Sequence, residues 1–119
     1  MKIINVSELD PKDVETEGAS RVTIREMITE KDGAPNYSMR YFVVEAGGQT
    51  PFHEHPWEHE VFIRKGSGTL ALESGERDLS EGDFVFIEPN LRHSFKASRG
   101  QPLEFICVIP HKTSLLKPE

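Results

Sequence analysis

Four of the five histidines occupy positions from which their imidazole rings could meet. His53 and His55 are two residues apart, so on a strand both side chains point to the same face. The proline that follows cannot continue a paired strand, and the chain must turn there. His59 opens the next strand and can return a third imidazole, and His93 begins a later strand. The spacing therefore favours one site built from His53, His55, His59 and His93.

A neutral imidazole is a transition-metal ligand and also a general base near neutral pH. Three histidines within seven residues, bracketed by strands, favour a metal site over a polar strand end. Four neutral ligands would leave the +2 charge uncompensated, and ligands on one side of the ion would leave two cis positions open for a small substrate, alone or with dioxygen. A metal-free cluster acting as a base is the chemical alternative.

The elements that must position these side chains are short strands. Helical periodicity is nearly absent, and alternating or apolar runs recur between Gly, Pro, Asn and Asp. Glycines at 47–48 are expected to end one strand, and the segment 66–68 to form a tight turn. Strands are predicted at 21–29, 38–46, 59–65, 69–73, 77–80, 84–88, 92–97 and 103–109. This number and spacing indicate an all-β chain, an antiparallel sandwich or barrel.

The segment from Gly48 to Gly66 resembles the first motif of the cupins. That motif is a glycine, five residues, His-x-His, three or four residues, a glutamate, six residues and a glycine. Gly48, His53, His55 and Gly66 are in register with it. His59 takes the position of the usual glutamate when the three-residue spacing is applied.

The second cupin motif begins at Gly82, and His93 follows eleven residues later. The run around His53–His59 is most similar to the small single-domain four-histidine cupins that bind manganese. The resemblance implies an antiparallel jelly-roll barrel (a double-stranded β-helix), a homodimer, and a metal held by the four histidines. It favours Mn, then Fe, while Zn, Ni and Cu stay open as ligand chemistry allows.

Further pocket residues follow from strand parity. In the last strand Phe105 and Cys107 share the face that we expect to line the interior. Cys107 would be a soft neighbour of the metal or simply a small buried hydrophobe, and the second reading is favoured. Phe95 has the parity of His93 and is expected to wall the pocket.

Arg40 interrupts an apolar strand. Facing inward it could hold a substrate carboxylate, and facing outward, which we favour, it would be a solvated charge. Trp57 is expected to pack against the turn between ligands, with a gate over the cavity as the alternative. Glu58 and Glu60 are either hydrogen-bond partners of imidazole N–H groups or surface charge. His111, after the last strand, is expected to be exposed.

The chain of 119 residues is read as a single domain, 1–119, with an N-terminal arm at 1–18, a barrel at about 20–110 and a flexible tail at 111–119. A net charge of −6 without a basic cluster argues against nucleic acid and anionic membranes as partners. One cysteine, no signal sequence and no long apolar run predict a cytoplasmic protein.

Two functional classes remain open. The first is a metal-dependent enzyme acting on a small organic molecule, an Mn or Fe oxygenase foremost, with a lyase or isomerase as the variant. The second is a non-catalytic ligand-binding or sensing module with a structural metal. The sequence has no phosphate loop, nucleophile elbow or CxxC pair, which excludes kinases, serine hydrolases and thiol redox proteins. A homodimer could form through a strand at 2–6 added to a neighbouring sheet edge.

Overall fold

Antiparallel strands make up nearly all of the regular structure in the computed structural model, which describes residues 1–111. The all-β jelly-roll expectation is confirmed. The strands are β1 (Lys12–Asp13), β2 (Ser20–Ile28), β3 (Tyr37–Gln49), β4 (His59–Leu72), β5 (Gly75–Ser80), β6 (Phe84–Ile87), β7 (His93–Ala97) and β8 (Leu103–Pro110). Two short 3-10 turns occur at Val6–Glu8 and Glu30–Asp32. In this part of the chain no helix is long and apolar enough to cross a membrane.

Four strands close the barrel. β8 lies between β3 and β4 and pairs with both along most of its length. On the other side β7 pairs with β4 and meets β3 at the Gln49–Lys96 register. β1 and β2 extend the sheet beyond β3, and β5 and β6 pair with β4. Each strand therefore forms backbone hydrogen bonds with at least one antiparallel neighbour, and this pairing fixes the positions of its interior side chains.

The longest strand, β4, is continuous where the sequence predicted two strands and a turn at 66–68, and that prediction is wrong. Residues before the glycines pair with β8, and residues after them pair with β7. A Cβ on Gly66 would collide with the carbonyl oxygen of Pro102, and one on Gly68 with that of Lys96. The two glycines allow the backbone to pass closely from one partner to the other.

A similar correction applies to β3, which continues through Gly47 and Gly48 to Gln49 instead of ending at them. A Cβ on Gly48 would meet the carbonyl oxygen of Ser20. The register between β2 and β3 shifts between Ser20 and Val22, which marks a bulge at this point. Gly48 therefore serves a close backbone approach, and Gly47 has a φ of 76°, a conformation that favours glycine, so neither marks a strand end.

The N-terminal segment is more ordered than an irregular arm. Residues 2–5 form no strand within the chain, and the Lys2 amine contacts Asp32 Oδ1 at 2.9 Å. β1 pairs with β2, which brings the following residues Val14 and Thr16 over the mouth of the barrel. Of the predicted tail, residues 112–119 lie outside the described residues.

His111 is buried, so the expectation of an exposed histidine is wrong. Its Nδ1 lies 2.8 Å from Ser38 Oγ, and its Nε2 lies 2.6 Å from the carbonyl oxygen of Ala34. These contacts connect the end of β8 to the loop before β3. A histidine that follows a strand is drawn inward here because β3 and the loop before it each offer one polar partner, Ser38 and Ala34.

The core fills one end of the barrel and leaves the other end open. Val44, Ile63 and Leu103 are fully buried at 0% exposure. The parity that buries Leu103 also turns Phe105 and Cys107 inward, as the period of two predicts. The histidines lie further along the same interior face, toward the open end.

Candidate metal centre and cavity

Backbone hydrogen bonds fix the segments that carry the histidines. His53 and His93 form an isolated antiparallel bridge, with N···O distances of 3.1 and 2.9 Å. The carbonyl oxygen of His55 accepts a hydrogen bond of 2.6 Å from the amide of Asn90. His59 is the first residue of β4. The four side chains therefore come from three segments that the barrel holds against one another. His59 and His93 begin regular strands, whereas His53 and His55 lie between β3 and β4.

The four imidazole rings surround one point. Adjacent ring centroids are 4.4 Å apart for His53 and His55, and 5.3 Å apart for His55 and His59. The circle closes with 5.1 Å between His59 and His93 and 5.4 Å between His93 and His53. Within residues 1–111, no group of three or more His, Cys, Asp or Glu side chains has its donor atoms placed to hold a metal ion as they stand. The structure thus brings the rings together without setting a coordination geometry.

Two of the rings have one nitrogen oriented by a neighbour. Nδ1 of His93 lies 2.8 Å from the carbonyl oxygen of Leu91, to which it can only donate, so its Nε2 keeps a lone pair. Nδ1 of His59 lies 3.4 Å from Sγ of Cys107. Nε2 of His59 is buried and has no hydrogen-bond partner. A buried nitrogen without a partner is costly, and a ligand at the centre of the four rings would satisfy it.

Burial favours the neutral form of three of these imidazoles, those of His53, His59 and His93. It lowers the pKa of His53 to about 4 and that of His59 to about 3, with the neighbouring histidines adding to the effect. Burial also lowers the pKa of His93. The same desolvation raises the pKa of the Cys107 thiol, against the opposing effect of Arg40. Neutral imidazole is the form that donates a lone pair to a metal ion, so the site is in its ligand form near neutral pH.

A cavity of about 260 Å³ adjoins the four rings. Its walls include Phe95, Phe105 and Cys107, as well as residues for which the sequence analysis offered no role. Those residues are Val14, Thr16, Val22, Ile24, Phe42, Thr50 and Pro51. The parity of β2 and β3 could have identified three of them. Val14 and Thr16 carry no local signal, because they belong to a non-periodic segment that folds back over the opening.

Arg40 points into the cavity, contrary to the outward orientation that the sequence analysis favoured. In the β3–β8 register it lies opposite Cys107, which faces inward, and directly opposed residues share a face. Its Nη2 lies 3.3 Å from Cys107 Sγ, and its guanidinium lies 5.1 Å from the ring centroid of Phe42. A charged residue in an apolar strand is expected to face solvent, whereas the register with β8 turns Arg40 inward.

Trp57 stacks on His55, with ring centroids 4.5 Å apart and planes inclined by 4°. It is not among the described residues that line the cavity, so its observed position is that of the packing role. Glu58 and Glu60 are both exposed. Partial burial and a hydrogen bond with Glu58 raise the pKa of Glu60.

The donor set fits a divalent transition metal. Four imidazole rings surround one point, and Nε2 of His59 is a buried atom without a hydrogen-bond partner. The Cys107 thiol and the Leu91 carbonyl act behind two of the rings and would orient them. All-nitrogen sites of this kind suit Mn, Fe, Co, Ni, Cu or Zn, and chemistry alone does not select among them.

Comparison with known proteins agrees with this architecture. The model of the Cupin domain family matches residues 40–109. The polyketide cyclase RemF of Streptomyces resistomycificus superposes with a TM-score of 0.88 at 32% identity, over 92% of this chain and 79% of that one. A cupin 2 conserved barrel domain protein of Rhodopseudomonas palustris gives a TM-score of 0.73 at 31% identity, over 84% and 68%.

A curated protein is also similar, the 1-methylthio-D-xylulose 5-phosphate methylsulfurylase of Rhodospirillum rubrum. It is 31% identical over 71 residues, which are 60% of this chain and 46% of the relative. The match therefore spans less than half the length of that curated relative.

Proposed function

Since the chain belongs to the cupin family, we propose that it is a metal-dependent enzyme that converts a small organic molecule within its barrel. The proposed ligands are His53, His55, His59 and His93, and the proposed ion is Mn, then Fe, with Zn, Ni or Cu as further candidates. The observation that carries the proposal is the cluster of four imidazoles beside a cavity, with the buried Nε2 of His59 left without a hydrogen-bond partner.

The chain's own residues would divide the work. Phe42, Phe95 and Phe105 offer an apolar wall for the body of a substrate, and Val14 and Thr16 also line the cavity. The bound metal ion would supply a Lewis acid that polarises a substrate oxygen and, in the case of Mn or Fe, a redox-capable centre. Such a cavity lies at the small end of ligand pockets, which favours a compact substrate.

The reaction class divides into an oxidative and a non-oxidative branch. The sequence favours an oxygenase over a lyase or isomerase. Two similar proteins above 30% identity carry other names, a cyclase and a methylsulfurylase. Ring closure by a cyclase needs no dioxygen, so these names favour the lyase, isomerase or cyclase branch as the second candidate. Either branch uses the same ligands and the same cavity.

Elemental analysis of protein purified without added metal or an affinity tag tests the metal site. We expect about one Mn or Fe per chain in the wild type, and loss of that metal in His55→Ala. Glu54→Ala is the matched control, because Glu54 lies between two ligands yet is exposed. Absence of metal from the wild type, or retention of it in His55→Ala, would contradict the proposal.

An oxygen electrode then separates the branches. The metal-loaded protein is offered small diketones, enols and catechols with and without dioxygen. Oxygen uptake that depends on His55 supports the oxygenase, and substrate conversion that continues under nitrogen supports the non-oxidative branch. Ligand binding without any conversion would leave the non-catalytic binding module, the other class that the sequence analysis kept open.

A further inference from the structure

The cavity contains one permanent charge, the guanidinium of Arg40. Its other lining residues are apolar, hydroxyl-bearing, thiol or neutral imidazole side chains, and the described part of the lining includes no aspartate or glutamate. Arg40 acts electrostatically on both His53 and His59, whose pKa values it helps to lower. The interior is therefore positive, and a divalent ion among the imidazoles would make it more so.

The present hydrogen bonds of Arg40 are few and weak. Its Nε is buried and has no hydrogen-bond partner. Its Nη2 donates to Cys107 Sγ at 3.3 Å, and a thiol sulfur is a poor acceptor. Within residues 1–111 no carboxylate lies within 4 Å of the guanidinium, although Glu26 is its register neighbour on β2. Arg40 is half-buried and also borders a second cavity that Glu26 and Glu30 line. A buried donor without a partner is nevertheless unfavourable, so the unused Nε points to an anionic ligand.

Arg40 lies close to the imidazoles, and this position indicates where an anionic ligand would bind. Cys107 Sγ is 3.3 Å from Arg40 Nη2 and 3.4 Å from His59 Nδ1, so one sulfur atom separates the guanidinium from a proposed metal ligand. Arg40 and the four histidines line the same cavity, so one ligand in that cavity can contact both. The two positive features therefore act on the same occupant.

An aromatic wall runs beside Arg40. The rings of Phe42 and Phe105 stack at 5.1 Å, and those of Phe105 and Phe95 stack at 4.5 Å. These planar surfaces favour a flat, unsaturated or aromatic body over a heavily hydrated one. A negative group on Arg40 and an unsaturated body along the phenylalanines would together fill the cavity.

We propose that Arg40 is a specificity-determining residue, and that the substrate is a small organic anion with a flat, unsaturated body, held through a carboxylate or enolate by the Arg40 guanidinium. This inference rests on the proposed function in one respect, that the cavity is the substrate site. It adds the charge and shape of the substrate and the residue that selects them.

Benzoate is a suitable probe, with neutral benzamide as its counterpart. Isothermal titration of the purified full chain should show benzoate binding more tightly than benzamide. Arg40→Gln should weaken benzoate binding roughly 10- to 100-fold and leave benzamide little changed, as expected for loss of a charge-assisted hydrogen bond. Arg40→Lys should fall between, because it keeps the charge and loses the bidentate geometry.

Arg64→Gln is the matched control. Arg64 lies on β4 outside the cavity, where it donates to the Tyr41 hydroxyl at 3.1 Å. Its benzoate affinity should equal that of the wild type. Thermal unfolding of each variant checks that the barrel is intact. A misfolded Arg40→Gln protein leaves the decision to Arg40→Lys and to the benzoate–benzamide comparison in the wild type.

Treatment with a chelator separates this inference from the proposed function. If benzoate binding depends on Arg40 in both metal-loaded and chelator-treated protein, the inference holds whether or not the metal is functional. If binding disappears with the metal and is unchanged in Arg40→Gln, the metal holds the anion, which overturns the inference and supports the proposed function. Equal affinity for benzoate and benzamide in the wild type would also overturn it.

Discussion

The imidazole of His55 lies flat against the indole of Trp57, with ring centroids 4.5 Å apart and an interplanar angle of 4°. This pair is formed within one short turn, because only Pro56 separates the two residues. The stacked indole restricts the rotation of the imidazole on the side away from the cavity. Trp57 is therefore a positioning residue for a proposed ligand, although it does not itself reach the cavity.

Replacing Trp57 with alanine should weaken metal binding. Aromatic stacking contributes about 0.5–1.5 kcal/mol, which corresponds to a roughly 2- to 10-fold loss in affinity. Trp57→Phe keeps a ring and should retain most of it. Competition with a chromophoric chelator measures both variants. Equal metal affinity in the wild type and Trp57→Ala would show that the stack does not position His55.

Phe105→Ala should strongly destabilise the fold. The ring is 2% exposed and stacks between Phe42 and Phe95, so its removal leaves a void among aromatic side chains. A loss of about 3–5 kcal/mol in the free energy of unfolding is expected, measured by urea denaturation. Phe84→Ala, at an 82% exposed position, should change it by less than about 0.5 kcal/mol. Similar losses in both would contradict the assignment of the core.

Gly68→Ala tests the close approach of β4 to β7 at the point where β4 changes its partner strand. The added methyl group would meet the carbonyl oxygen of Lys96 on β7, a backbone atom that cannot move without disturbing the sheet. The unfolding free energy should fall by about 1–3 kcal/mol. Gly100→Ala is the control, since no atom lies within 4 Å of the position of its Cβ. A wild-type denaturation midpoint for Gly68→Ala would contradict the close approach.

His111→Ala should show that the fifth histidine stabilises the fold and does not bind the metal, unlike the proposed role of the other four. It removes the contacts to Ser38 Oγ and the Ala34 carbonyl and should lower the unfolding free energy by about 1–3 kcal/mol. The metal content of this variant should equal that of the wild type. Thermal unfolding and elemental analysis on the same sample provide both readings. Loss of metal from His111→Ala would show that the two regions are coupled.

The expected homodimer is tested by light scattering on the full chain, which should give twice the monomer mass of 13.5 kDa. Ile3 is 83% exposed, and the segment around it forms no strand within its own chain. If that segment adds to a neighbouring sheet, Ile3→Asp should increase the monomer fraction. Ser74→Asp, on the exposed β4–β5 turn, adds the same charge elsewhere. A monomeric wild type would refute the dimer.

The sequence predicted most strands, because the period of two is a local property that burial on one face enforces. The same period placed Phe105 and Cys107 inside the barrel. Its failures concern contacts between distant segments. The continuous β4 depends on carbonyl groups that approach Gly66 and Gly68 from other strands. Similarly, the inward orientation of Arg40 depends on register with β8, which no local pattern displays.

The uninterrupted course of β4 affects how the interior accepts a ligand. This strand begins at His59, pairs first with β8 and then with β7, and ends at Leu72, which lies opposite His93 in the register. One continuous strand therefore connects the part of the barrel that contains β8 with the part that contains β7, and it forms backbone hydrogen bonds with both. The two parts cannot move apart independently. The cavity is preorganised during folding, so a compact ligand would bind with little induced fit and little loss of conformational entropy.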